Sequence, residues 1–374
     1  MFCKSVFSLS CLNPTLIKNP YYKKNPSKGL NFLHDCKSQY MRVPCGYCAN
    51  CIATKQMYVV QRFFMESLDS YVFFSTFTYD DKHLPTLTVN GRILRYADFK
   101  HFTDMVKRIR IGNLFTRPFR YYAVSERGKA KARPHFHCLW FIPKYDSDND
   151  SVPYNLEYLI RNVLLSQWCI NVGSKRSPIY EPLFTFCAKK RNGILYSNFD
   201  THYVKPQLGV CDSSSVVFYC MKYLLKVSVH DRKLQSALKL NLEYPDYWRI
   251  WNKVKSRSQC SKHFGYGFNF GSPNKPNDKV FSYIKDCIKK TPKGSPYPCF
   301  FSPIDGSSYP LSPYYQGRSI FYSLEDALPI LLNSSAPLEN DLPETFYQDY
   351  AVRFQKFQKQ CLQTLNVGNP LLFD

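Results

Sequence analysis

The sequence predicts an α+β fold: a central antiparallel sheet with helices on one face. Between residues 70 and 230 the predicted elements run strand, helix, strand, strand, helix, an irregular stretch and a further helix. That order suits an antiparallel sheet with helices packed against one side of it. No internal repeat of solenoid length is found, which favours a layered domain over a repeat architecture.

The strands are predicted from β-branched and aromatic runs, and the helices from apolar residues three or four apart. The first strand is the run YVFFSTFTYDD at 71–81, which ends in two aspartates. Further strands are predicted at 119–125 and at 134–143, the last with a proline at each end. The predicted helices span 54–68, 96–111, 154–170 and 216–227, and residues 171–212 are irregular with room for a hairpin.

Three segments are expected along the chain. Residues 1–69 are predicted to be a basic arm with a Cys-rich stretch and a helix, and residues 70–230 the central domain. Residues 231–374 are rich in Pro, Ser and Tyr and less regular in pattern, which indicates an appended region.

The charge of the chain points to a polyanionic partner. Its 374 residues include 50 Lys and Arg against 28 Asp and Glu, a formal net charge of +22. Such a field attracts nucleic acid first. A membrane surface is a weaker candidate, because no basic amphipathic stretch stands beside an apolar anchor. The 29 Tyr and 29 Phe include many beside basic residues, a composition that suits base stacking as well as an ordinary core.

The cysteines indicate a reducing compartment. The chain has 15 of them, an odd number, and its N-terminus lacks the apolar core and cleavage site of a secretory signal. No apolar run reaches the roughly 18 residues that a membrane span needs. We therefore expect a cytosolic protein whose thiols are free or bound to metal.

A pair of histidines is the sharpest local feature. His135 and His137 flank Phe136 in the strand at 134–143, so both imidazoles project from the same face. Glu126 ends the preceding strand, and a hairpin would bring its carboxylate beside them. One carboxylate and two imidazoles can hold Mg²⁺ or Mn²⁺ with water positions left open. The alternatives are structural histidines and a salt bridge from Glu126 to a nearby basic residue.

A pair of tyrosines lies on the helix predicted at 216–227. The run YCMKYLLK places Tyr219 and Tyr223 four residues apart, on one helical face, with Lys222 and Lys226 on a neighbouring stripe. A phenol is a poor nucleophile at its ordinary pKa of about 10. A divalent ion on the scissile phosphate and a nearby lysine make its attack feasible. The alternative is an amphipathic helix with core tyrosines.

Two further groups of residues are candidate binding sites. Cys45, Cys48 and Cys51 have the spacing of a zinc site, with Cys36 or His34 as a fourth ligand; a Cys-rich turn without metal is the alternative. Basic residues near the histidines could hold a DNA backbone, although some belong to an ordinary solvated face. These are Lys107, Arg108, Arg110, Arg117, Arg120, Lys129, Lys131 and Arg133.

Together these motifs resemble the HUH endonucleases, and among them the replication initiators of microviruses, small single-stranded DNA phages. The family's His-hydrophobic-His strand corresponds to 135–137, its paired-tyrosine helix to 219–226, its first motif to 73–79 and its acidic residue to Glu126. The resemblance looks closest to gokushovirus-type initiators, whose PCGxCxxC stretch corresponds to 44–51. It is strong from 70 to 230, although Ser125 stands where the family usually has Gly.

The resemblance implies a rolling-circle mechanism. One tyrosine attacks single-stranded DNA at a phage origin, forming a 5′-phosphotyrosine and freeing a 3′-OH that primes synthesis. The second tyrosine later rejoins the displaced strand. The chain has no Walker A motif, so the resemblance implies a host helicase and a host polymerase as partners, in the host bacterial cytoplasm. The alternatives are an HUH relaxase or transposase, and a basic DNA-binding protein with a zinc module and no catalysis.

Overall fold

The computed structural model describes most of the chain between residues 14 and 316. The described residues are 14–20, 22–23, 38–44, 49–128, 132–184, 189–191, 194–196, 199–204, 229–243, 246–291, 298–301 and 308–316. In this part of the chain no helix is both long enough and apolar enough to cross a bilayer.

The strands and helices have the following bounds. The strands are β1 (Thr15–Lys18), β2 (Tyr40–Val43), β3 (Ser70–Phe77), β4 (Thr86–Val89), β5 (Arg92–Arg95), β6 (Arg120–Arg127), β7 (Pro134–Pro143), β8 (Cys169–Asn171), β9 (Tyr180–Pro182), β10 (Lys189–Arg191), β11 (Ile194–Tyr196), β12 (Asp200–Tyr203), β13 (Ser258–Cys260), β14 (Cys299–Phe301) and β15 (Ser308–Pro310). The helices are α1 (Ala49–Ser67), α2 (Phe99–Ile111), α3 (Val152–Gln167), α4 (Val229–Asn241), α5 (Asp246–Val254), α6 (Asp278–Lys289) and α7 (Pro313–Gln316).

Five of the described strands form the main sheet, in the order β12, β3, β7, β6, β13. Every neighbouring pair in it is antiparallel. The central strand β7 is buried along most of its length, because both its neighbours and both faces are covered. The predicted α+β class with a central antiparallel sheet is confirmed.

One face of the sheet packs against α2 and α3. Phe73, Phe136 and Trp140 point to this face, where they meet the apolar stripes of the two helices. The stripe of α2 consists of Phe99, Phe102, Met105, Val106 and Ile109. These positions recur every three or four residues, so one side of the helix is apolar and is buried on the sheet.

The opposite face is covered in part by α1. Phe63 of this helix packs edge-on against Phe141 of β7, with ring centroids 5.0 Å apart, and shares a buried cluster with Val72, Leu139 and Phe264. Helices therefore lie on both faces, and not only on the one that the sequence indicated. The physical reason is that α1 carries an apolar stripe of its own, which must be buried.

Residues beyond 230 complete the sheet and the core. β13 pairs with β6 from Ser258↔Val124 to Cys260↔Tyr122, and thereby forms one edge of the sheet. The carboxylate of Glu66 on α1, which is fully buried, binds the Arg120 guanidinium of β6 at 2.9 Å. It also accepts hydrogen bonds from the backbone N–H groups of Gly265 and Gly267. The segment division at residues 69/70 and 230/231 stays a prediction.

Gly265 is a position that only glycine fills without strain. Its φ of +97° lies in the left-handed region, and a Cβ there would come within 2.7 Å of the Tyr315 hydroxyl and 2.9 Å of Arg62 Cβ. The backbone can turn this tightly around α1 because no side chain intervenes.

Candidate metal centre

The β6–β7 hairpin brings the three predicted metal ligands together. In its register Glu126 lies opposite His135, and His137 follows two residues later on the same face. His135 Nε2 lies 3.2 Å from His137 Nε2, and Glu126 Oε2 lies 3.3 Å from the first and 3.1 Å from the second. The three donor atoms thus form a nearly equilateral triangle.

A divalent ion fits this triangle. An octahedral ion about 2.1 Å from its ligands places neighbouring ligand atoms about 3.0 Å apart. A tetrahedral ion about 2.0–2.1 Å from its ligands places them about 3.4 Å apart. The observed separations lie between these values and suit either geometry. All three ligands stand on one sheet face, so the remaining coordination positions point away from the sheet.

Hydrogen bonds from neighbouring groups orient both imidazoles. His135 Nδ1 lies 3.0 Å from the carbonyl oxygen of Arg133, so that nitrogen carries the proton and Nε2 presents a lone pair to the centre. His137 Nδ1 lies 3.1 Å from Thr76 Oγ1 on β3, and the Phe74 ring stacks on the His137 ring at 5.3 Å. Each ligand is therefore held in a metal-binding orientation by the fold.

The electrostatics of the centre favour the protonation states that bind metal. Burial would raise the pKa of Glu126, but hydrogen bonds and charge from His135 and His137 hold it below the ordinary value of a glutamate. Burial lowers the pKa of His137, an effect that Glu126 partly offsets. At neutral pH the carboxylate is ionised and the His137 imidazole is neutral, as coordination requires.

A second polar pair lies on the same face of the sheet, on its β12 edge. His202 is opposite Phe74 in register and Asp200 is opposite Thr76. His202 Nδ1 lies 3.4 Å from the Asp200 carboxylate, and the hydrogen bond to Asp200 raises the pKa of His202. The sequence interpretation missed both residues and Thr76. The signal for Thr76 was present, because it closes the FFSTFTY strand that pairs with β7; His202 and Asp200 lie in a stretch without a regular pattern.

Among the basic residues predicted to bind DNA, several have contacts within the protein. The Arg108 guanidinium donates to the backbone carbonyls of Gln167 and Cys169. The Arg133 guanidinium binds Asp81 and the backbone carbonyl of Tyr79. Arg110 donates to Ser261 Oγ at 3.2 Å, and Lys107 is exposed, 3.9 Å from Asp104. Their role in DNA binding stays a prediction.

Several predicted site residues lie outside the described residues. They are Tyr219, Lys222, Tyr223 and Lys226 of the tyrosine motif, Lys129 and Lys131, and His34, Cys36, Cys45 and Cys48 of the cysteine cluster. The remaining cysteine of that cluster, Cys51, is buried on α1. The described chain on each side of the tyrosine motif ends at Val204 and resumes at Val229.

Comparison with known proteins identifies one family. Residues 72–228 match the model of a family of replication-associated proteins, described by the name ORF2. The matched span contains Glu126, His135 and His137, together with Tyr219 and Tyr223. No curated protein and no solved structure matches the chain.

Proposed function

We propose that this chain, a replication-associated protein of the ORF2 family over its central part, is a rolling-circle initiator of the HUH type that cuts single-stranded origin DNA with a tyrosine. The family supports a replication-initiator role and a nuclease activity in general terms. The triangle of donor atoms of Glu126, His135 and His137 is the observation that carries the finer proposal. A carboxylate and two imidazoles around an open position are suited to binding a phosphodiester oxygen through a divalent ion.

Tyr219 and Tyr223 are the proposed nucleophiles. The phenolic oxygen bonds to phosphorus, the bond from phosphorus to O3′ breaks, and the strand leaves with a protonated 3′-OH. The 5′ side stays attached as a phosphotyrosine. Lys222 and Lys226 would offset negative charge beside the reacting phosphate. The second tyrosine would repeat the transfer at the regenerated origin, and the phosphotyrosine conserves the bond energy needed to rejoin the strand.

The described residues flanking the tyrosine motif support its placement near the centre. Val204 follows β12 and donates its N–H to the carbonyl of Val72, on the sheet that carries the metal centre. After the motif, Leu238 of α4 shares a buried cluster with Val254. The carbonyl of Val254 accepts a hydrogen bond from Arg127, the residue after Glu126. The chain thus leaves the sheet beside the centre and returns beside it.

Magnesium or manganese is the proposed ion, and when bound it would polarise the scissile phosphate. The chain's own contribution is to keep Glu126 ionised, to hold both Nε2 atoms toward one point and to leave one side open for DNA. We further propose a structural zinc ion at Cys36, Cys45, Cys48 and Cys51, host helicase and polymerase as partners, and the bacterial host cytoplasm as the location.

The test is formation of a covalent protein–DNA adduct. The full chain is incubated with Mn²⁺ and labelled single-stranded DNA that tiles the encoding replicon, and adducts that survive SDS are separated on a gel. We expect an adduct with one region of the DNA. It should disappear with EDTA, in His137→Ala, and in a variant that combines Tyr219→Phe with Tyr223→Phe.

The matched control replaces two other tyrosines by phenylalanine, Tyr154 and Tyr158, which are exposed on α3. This variant should form the adduct at the wild-type level. Cleavage that persists without Tyr219 and Tyr223 would refute the tyrosine assignment. DNA binding without any adduct, in the presence of the ion, would instead support the non-catalytic DNA-binding function.

A further inference from the structure

A cavity of about 440 Å³ opens at the β13 edge of the main sheet. Its walls are the end of α2 with the chain leading into β6, and the loop that follows β13. Arg120, the first residue of β6, lines it, whereas Glu126 lies six residues further along the same strand. At about 3.3 Å per residue these positions are roughly 20 Å apart. The cavity is therefore separate from the metal centre.

A row of aromatic rings stands at the mouth of this cavity. The side chain of Phe270 is 62% exposed, and its ring lies nearly parallel to that of Phe268, with centroids 6.5 Å apart. The Tyr145 ring lies 5.7 Å from Phe270 on its other side. A single exposed ring is ordinary on a protein surface. A row of three, partly open to solvent, offers a flat face on which another planar ring can stack.

Cationic side chains line the cavity. Arg117 and Arg120 are among them but are neutralised by ion pairs with Asp148 and Glu66. Arg110 and the exposed Lys262 line it as well, and neither has a carboxylate within ion-pair distance among the described residues. Within the described part of the chain, no acidic side chain lines the cavity. The cavity therefore favours a ligand that carries a negative charge beside a planar ring.

We propose that this cavity binds a nucleotide of single-stranded DNA, whose base stacks on Phe270 while its phosphate contacts Arg110 and Lys262. Single strands fit this chemistry because the faces of their bases are accessible, whereas those of a duplex are covered by neighbouring pairs. The inference rests on the proposed function, since it assigns the site to the same substrate strand. The distance of roughly 20 Å to the metal centre corresponds to about six nucleotides at 3.4 Å each.

The test measures binding without cleavage. Fluorescence anisotropy of a labelled 20-nucleotide oligothymidylate is recorded with the full chain in EDTA. Phe270→Ala should weaken binding by about tenfold or more, in keeping with the loss of one stacked base. Phe270→Trp should bind like the wild type because it keeps an aromatic face. Lys262→Ala should weaken binding and make the dependence of log affinity on log salt shallower by about 0.7.

The matched control is Tyr158→Ala, which removes an equally exposed ring, 72% accessible, from α3. It should bind like the wild type. Wild-type affinity in Phe270→Ala would overturn the proposal, and so would an equal loss of affinity for duplex DNA, because that loss could not arise from stacking. Circular dichroism melting of each variant verifies that the comparison is between folded proteins.

Failure of this inference is distinguishable from failure of the proposed function. If no adduct forms with any DNA but Phe270→Ala still weakens binding, the nicking mechanism is wrong and the nucleotide site stands. If the adduct forms and Phe270→Ala binds normally, the mechanism stands and the nucleotide site is wrong.

Discussion

His137 is the residue on which the most interactions of the metal centre converge. It contacts Glu126 through Nε2 and Thr76 through Nδ1, and Phe74 stacks on its ring. Only 5% of its side chain is exposed. A buried imidazole held on three sides loses little conformational freedom when it binds an ion, so its affinity depends on the neighbours that orient it.

Thr76→Val tests that dependence at the residue scale. The substitution keeps the shape of the side chain but removes the hydroxyl that meets His137 Nδ1. We expect the affinity for Mn²⁺ to fall by about tenfold to a hundredfold, measured by calorimetric titration of the purified chain. Excess Mn²⁺ should restore adduct formation. An unchanged affinity would show that Thr76 does not orient the imidazole.

The control for this experiment is Thr88→Val, an exposed threonine on the separate β4–β5 hairpin. It makes the same chemical change away from the centre and should leave Mn²⁺ binding unaltered.

The ligands themselves could be predicted from sequence, but their surroundings could not. His135, His137 and Glu126 are linked by strand periodicity and one short hairpin, which are local properties of the chain. Thr76 reaches His137 only through the pairing of β3 with β7, across 61 residues. Periodicity does not fix the register between distant strands, because that register depends on packing of the whole sheet.

At the scale of elements, boundaries followed the sequence where a residue enforces them. The strand predicted at 134–143 coincides with β7, whose prolines lie at its two ends. The helix predicted from residue 96 begins at Phe99, because the Asp98 side chain caps it by accepting from the N–H of Lys100. β13 was not predicted, since three residues carry no usable pattern and the strand exists through its pairing with β6.

The buried pair between Glu66 and Arg120 joins α1 to the sheet. Glu66→Gln would leave the Arg120 guanidinium buried without a carboxylate, and we expect the free energy of unfolding to fall by about 3–5 kcal/mol. Urea denaturation followed by circular dichroism measures it. A change below about 1 kcal/mol would mean that Arg120 finds another partner or water.

An exposed ion pair provides the comparison. Lys100 and Asp104 form an i,i+4 pair on the surface of α2, 2.8 Å apart. Asp104→Asn should lower stability by no more than about 0.5 kcal/mol, since solvent screens this pair. The contrast between the two variants separates the effect of burial from that of charge loss alone.

On the scale of the whole molecule, the charge of +22 should govern DNA affinity. For single strands, log affinity falls by about 0.7 per phosphate contact for each unit of log salt. With about five contacts, raising salt from about 50 to 200 mM should weaken oligonucleotide binding about a hundredfold. Anisotropy at a series of salt concentrations measures the slope, and a flat dependence would contradict a phosphate-contacting surface.

Composition predicted this charge but not its distribution. Arg108, Arg117, Arg120 and Arg133 were indistinguishable in sequence from surface cations, yet each has contacts that bind parts of the fold together. Which cations remain available to DNA is decided by the tertiary structure, because only the folded chain brings carboxylates and carbonyls to them.

The amide of Gln61 on α1 binds the carbonyl of Pro310 and the N–H of Ser312, a contact that imposes a timetable on synthesis. At about 5–20 residues per second, a ribosome needs roughly 10–50 s between making the two partners. During that interval the inner side of α1, including Phe64 and Met65, waits without the neighbours that later bury it. The nascent chain therefore has to be shielded from aggregation, and the nuclease becomes complete only when nearly all of its template has been translated.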